Sequence, residues 1–163
     1  MTATNFIADV QRRKTGETIF KEDFLEFLNI KYQDVTGCQQ FQVIDSDFLS
    51  KVGLFEIKTN YKDDKKIIIE EYTNFNASLE KVSNGWWYKS KADLIIFVSK
   101  TTRTMIFIPF TESVKNHYES IKGKYELIKN KPSENNGRQW QSAFKRINLD
   151  DMKSYFSYYK KVN

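Results

Sequence analysis

The sequence predicts a mixed α/β (α+β) fold in which a central mixed β-sheet is flanked by helices, and three observations carry that prediction. Near the start of the chain, Phe6, Ile7 and Val10, then Phe20, Phe24, Leu25, Phe27 and Leu28, recur at helical spacing. From Tyr32 to Lys58 the apolar period falls towards two, with Phe41, Val43, Phe48, Phe55 and Ile57 bounded by Gly37 and Gly53. Finally, Leu94-Ile95-Ile96-Phe97-Val98 and Met105-Ile106-Phe107-Ile108-Pro109-Phe110 are strand-length apolar runs joined by Lys100-Thr101-Thr102-Arg103, the pattern of a hairpin.

In chain order, helices are expected over 4–14 and 17–29, with Thr15-Gly16 either separating them or absorbed as a weak point. Strands follow through 32–58. Lys62-Asp63-Asp64-Lys65-Lys66 reads as a charged loop before a buried strand, Ile67-Ile68-Ile69, that runs into Glu70-Glu71-Tyr72. Asn84-Gly85 is a turn signal before Trp86-Trp87-Tyr88. After the hairpin, Val114, Tyr118, Ile121, Tyr125 and Ile128 predict a helix over 111–129, weakened at Gly123 by about 1 kcal/mol. An edge strand over 138–147 and a closing helix from Leu149 complete one domain over 1–163, with Met152, Tyr155, Phe156 and Tyr159 facing inward.

Composition narrows the function. A chain of 163 residues buries roughly 70% of its unfolded surface and needs no cross-links to make a core. Cys38 is the single cysteine and His117 the single histidine, so a disulfide and a structural zinc site both lack ligands. Neither apolar run approaches the roughly 20 residues of a membrane span, and the N-terminus carries no basic-then-apolar leader. A cytoplasmic protein with no membrane partner is expected. The net charge of +5 suits an anionic partner. No phosphate-binding glycine loop, nucleophile elbow or His-Glu-x-x-His is present.

The chemistry concentrates in Gln42-Val43-Ile44-Asp45-Ser46-Asp47 and Gly53-Leu54-Phe55-Glu56-Ile57-Lys58-Thr59. Alternation along a strand puts Asp45 with Asp47, and Glu56 with Lys58, while Phe55 and Ile57 face the other way. A four-residue loop at 50–53 sets Asp47 opposite Glu56 and Asp45 opposite Lys58. Carboxylate oxygens suit Mg²⁺ or Mn²⁺, and a lysine beside the ion orients or activates water and stabilises charge on a phosphate. Glu-x-Lys is also what the solvent face of an ordinary amphipathic strand looks like. Downstream, Trp86, Lys89 and Lys91 interleave an aromatic with lysines, a strip able to stack bases and neutralise DNA phosphates; either tryptophan alone also reads as core.

This order of residues resembles the PD-(D/E)XK, restriction-endonuclease-like, nuclease superfamily, in which a helix-borne acid, an Asp near a strand end and a Glu-x-Lys follow one another. It is similar in particular to small phage and bacterial members, through Asp45-Ser46-Asp47, Glu56-Ile57-Lys58, Glu70, Gly85-Trp86 and Lys91-Ala92-Asp93. The resemblance spans about residues 17–110. It implies Asp45 or Asp47 with Glu56 as ligands of Mg²⁺ (or Mn²⁺), the Ile57 carbonyl completing the shell, Lys58 assisting water, Glu70 rather than Glu71 joining the site, and Glu17 as a supporting acid. The implied activity is metal-dependent endonucleolytic cleavage of DNA in a bacterial or phage-infected cell, whether as monomer or homodimer. The alternative is a non-catalytic nucleic-acid- or protein-binding module on the same fold.

Overall fold

A computed structural model describes residues 11, 14–42, 44, 46–60, 65–74, 83–135 and 138–160. Strands β6 (Leu94–Ser99) and β7 (Met105–Pro109) are apolar at successive positions because both their faces are covered. Ile96, Val98, Met105 and Phe107 pack on one side with Ile19, Phe20 and Leu25 of the first helix. Ile95, Phe97, Ile106 and Ile108 pack on the other with Trp86, Trp87, Val114 and Tyr118. Two cores thus sandwich one sheet.

That sheet has six strands in the order β1 (Tyr32–Asp34), β2 (Phe48–Ser50), β3 (Gly53–Asn60), β6, β7 and β12 (Ser157–Tyr159). It is mixed: β3 and β6 run parallel, from Phe55↔Leu94 to Asn60↔Ser99, and the other neighbours pair antiparallel. The expected mixed sheet flanked by helices is therefore present. Among the described residues no helix is long and apolar enough to cross a membrane.

Helix α1 is α-helical over 14–20 and continues as a π-helix over Lys21–Glu26, so Thr15 and Gly16 are absorbed rather than separating two helices. The expectation over 4–14 falls largely outside the described residues. Gly16 sits where α1 crosses β3; a Cβ there would lie 2.0 Å from Thr59 Oγ1. At the far end, Arg103 Nε donates to the buried Asp23 carboxylate at 2.6 Å, tying the β6–β7 turn to α1.

Several expectations are corrected. Residues around Phe41 form a short helix, α2 (Gln39–Gln42), in place of the expected strand. The carbonyl of Cys38 takes N–H bonds from Phe41 and Gln42, and this local closure overrides the weak alternation. Strand β4 (Lys66–Asn74) does not join the main sheet; it belongs to a second one ordered β5 (Ser83–Asn84), β4, β11 (Ala143–Asn148), β8 (Ile128–Lys129). Strand β11 is interior there rather than an edge. A separate hairpin pairs β9 (Ser133–Asn135) with β10 (Arg138–Trp140).

Helix α4 ends at Ile121 (Glu112–Ile121), passing into a 3₁₀ turn over Lys122–Lys124 that holds Gly123, so the helix expected to reach 129 is shorter. The closing helix is a 3₁₀ segment, Leu149–Tyr155, and Tyr159 belongs to edge strand β12. The Trp86-Trp87-Tyr88 segment is helical, α3 (Trp86–Lys89), rather than extended.

Helix α3 is seated by Gly85, whose N–H donates to the Glu71 carbonyl at 2.7 Å. A Cβ on Gly85 would lie 2.2 Å from the Glu70 carbonyl oxygen, a backbone atom that cannot swing aside. Gly85→Ala is expected to cost on the order of 3 kcal/mol, since backbone must move rather than a side-chain tip. A denaturant midpoint unchanged from wild type would refute that close approach.

Candidate active site

The site grows from the β2–β3 hairpin. Its ladder pairs Phe48↔Phe55, Leu49↔Leu54 and Ser50↔Gly53 around a turn at Lys51-Val52. The turn is shorter than the loop expected, and the ladder ends at Phe48↔Phe55, one step short of the expected Asp47–Glu56 pair. Asp47 lies just before β2: its N–H donates to the Phe55 carbonyl at 2.8 Å, and its own carbonyl accepts from Val35. The ladder then stops, and the Asp47 carboxylate takes over as acceptor for the next N–H of β3, that of Ile57, at 2.7 Å. Asp93 does similar work nearer the turn, accepting from Leu54 N–H at 2.8 Å.

Alternation along β3 sends Phe55 and Ile57 into the core under α1, and Glu56 and Lys58 to the opposite face. Glu56 is buried, with a side chain only 6% exposed, and forms an ion pair with Lys58. The Lys58 ammonium also lies over the indole of Trp86, 4.7 Å from the ring centroid. The sequence offers Trp86 as a DNA-stacking residue. Instead it is 7% exposed, set edge-on to Trp87 and Phe97, and cannot present its face to a base.

Electrostatically, the Asp47 carboxyl is pushed up to about 8. Burial is the largest cause, followed by the negative charge of Glu56; the Ile57 N–H opposes the rise, Glu17 adds to it and Lys58 opposes it. Glu17, carried on α1 beside Gly16, is thus near enough for its charge to act on Asp47. Among the described residues the buried hydroxyl of Ser46, adjoining Asp47, has no hydrogen-bond partner. Compared with known protein families, with curated proteins and with solved structures, the chain matches none.

Asp45 lies outside the described residues. Glu70 is on the second sheet, half-buried, with its carboxylate accepting from Thr73 Oγ1 at 3.2 Å. Glu71 faces inward instead and accepts from the Tyr118 hydroxyl at 2.7 Å. The largest charge effects on Asp47 come from Glu56, Glu17 and Lys58. Lys89 and Lys91 are exposed, Lys89 at the end of the helical turn α3 and Lys91 just beyond it.

Among the described residues no three His, Cys, Asp or Glu side chains gather closely enough to form a metal cage. Mg²⁺ does not require one, because it is commonly held by one or two carboxylates, with water and substrate phosphate filling the shell. Two neighbouring carboxylates, with Asp47 raised by burial and then by the charge of Glu56, are a fitting donor set, and the Ile57 carbonyl lies between Glu56 and Lys58 in the same strand. What sequence reasoning missed is the placement of Trp86 against Lys58. Gly85-Trp86 is visible as a motif, but only the packing reveals that its indole faces Lys58.

Proposed function

We propose that this chain is a Mg²⁺-dependent DNA endonuclease whose active centre is Asp47, Glu56 and Lys58 on the β2–β3 hairpin. The observation that supports this most is that two carboxylates and one ammonium meet where the β2 ladder stops. Asp47 and Glu56, with the Ile57 carbonyl, would hold Mg²⁺ or Mn²⁺, and Glu17 adds negative charge from α1. A bound divalent ion supplies polarisation of the phosphoryl oxygen and acidifies a ligated water. Lys58, beside Glu56, orients the attacking water and offsets charge developing on the scissile phosphate. The order of these groups is that of the PD-(D/E)XK nucleases, which supports the reading further.

Purified protein incubated with plasmid, single-stranded and four-way-junction DNA should hydrolyse at least one substrate with Mg²⁺ or Mn²⁺ and none with EDTA. Metal-independent cleavage would overturn the mechanism; DNA binding without hydrolysis under any of these conditions would favour the binding module.

The exposed Lys89 and Lys91 lie immediately beyond Trp86 and are proposed to meet DNA phosphates. DNA affinity should then fall steeply with salt, and neutralising both lysines should flatten the logarithmic slope by about one unit for each phosphate no longer neutralised. An unchanged slope in a titration of the double variant would remove them from the DNA path.

A further inference from the structure

We propose that Trp86 is a positioning residue for Lys58: its buried indole face fixes the direction of the ammonium at the active centre. The inference rests on the nuclease reading and gives Trp86 a task other than contacting DNA. Three observations carry it. The Lys58 Nζ stands 4.7 Å from the centroid of the ring. Trp86 is 7% exposed and held edge-on by Trp87 at 5.6 Å and Phe97 at 6.1 Å, so the indole cannot turn with the lysine. Behind it, Gly85 is pressed against the β4 backbone, which anchors the platform to the second sheet.

The need for such a platform follows from the chemistry of lysine. Its ammonium is a point charge on a flexible four-carbon stem with no preferred direction of its own. Glu56 holds it from one side, but that carboxylate is also a proposed metal ligand, and its pull on the lysine weakens when it is shared. The quadrupole of the indole attracts the cation whatever else Glu56 binds, and burial strengthens the attraction. Among the described residues, Lys115 over Phe110 and Lys122 over Tyr88 make similar approaches at the surface, where each also pairs with a nearby glutamate, Glu112 and Glu119 respectively.

The test keeps the shape of the side chain and varies its electronics. Mono-, di- and trifluorinated tryptophan placed site-specifically at position 86 drain the ring face stepwise without opening a cavity. Across the series kcat for Mg²⁺-dependent DNA cleavage should fall stepwise, by about ten-fold in total, with KM for DNA unchanged. Trp86→Phe should retain part of the activity that Trp86→Leu loses. Independently of activity, the Lys58 ε-methylene protons of the metal-free protein should show an upfield ring-current shift in NMR spectra that disappears in Trp86→Leu. A flat kcat across the fluorinated series in an active enzyme overturns the proposal and leaves the nuclease reading intact. No cleavage by the unmodified protein overturns the nuclease reading and the positioning role with it. Lys58 methylene protons resonating with those of exposed lysines would overturn the cation–indole pairing itself.

Discussion

Lys58→Ala is expected to lower Mg²⁺-dependent DNA cleavage by about 10²–10⁴-fold, the range that a positioned acid–base or charge-stabilising group contributes. Removing the lysine also leaves the Glu56 carboxylate buried without its cation, and breaking such a pair is destabilising. Loss of activity must therefore be separated from loss of fold. Lys58→Arg keeps a cation beside Glu56 but replaces the compact ammonium with a planar, permanently charged guanidinium. It should fold like wild type by circular dichroism and thermal melting, and still lose most of its activity if the ammonium handles the water. Cleavage at wild-type rates by a folded Lys58→Ala protein would end the proposed mechanism. Full activity in Lys58→Arg alone would restrict the lysine to charge stabilisation.

Asp47→Asn should produce opposite effects on stability and activity. In the folded protein Asp47 is raised to about 8 by burial and by Glu56, against an ordinary value near 3.8. Between these values the native state binds more protons than the unfolded chain, so stability falls as pH rises. The contribution is fully present below about 4 and lost as pH passes through about 8. Metal-free protein should thus be less stable at pH ~8 than at pH ~5, by an order of several kcal/mol at most. Asn keeps an oxygen for the Ile57 N–H without the charge, so Asp47→Asn should flatten this dependence and raise the melting temperature at the alkaline end. The same substitution should abolish metal binding by calorimetry and cleavage with it. In wild type, Mg²⁺ should recover stability near pH 8, because binding to the folded state alone favours it. A pH–stability profile identical in wild type and Asp47→Asn, both in EDTA, would rule out the buried repulsion.

The legible parts of this protein are those set by local pattern. Continuous apolar runs mark β6 and β7, since strands covered on both faces need no polar alternation. The pairing of Phe48 with Phe55, which brings the Asp47 and Glu56 segments side by side, is recoverable because a tight turn constrains a hairpin locally. The allotment of strands to sheets is not. Ile67-Ile68-Ile69 reads the same whether it joins the main sheet or a second one, and only pairing with the distant β11 decides it. Likewise, Trp86 and Lys58 lie far apart in sequence, and no periodicity signals that an indole on a short helix faces an ammonium on a strand. Short helices such as α2 and α3 escape a pattern reading because a single turn is decided by its closing hydrogen bonds rather than by a repeating apolar face.

The parallel pairing of β3 with β6 bears on the order in which the molecule assembles. Asp47 and Glu56 meet through a hairpin closed by two residues, whereas Lys58 meets Trp86 only once the crossover through 61–93 has returned to the sheet. Short loops close in well under a microsecond, and long-range parallel pairing is far slower. The acidic half of the centre should therefore form early and the aromatic support of its lysine late. Pulsed hydrogen exchange during refolding should accordingly protect the amide of Asp47 before that of Ser90, which closes α3 on the Trp86 carbonyl. A chain interrupted partway through refolding would hold its carboxylates together while its lysine still swung free.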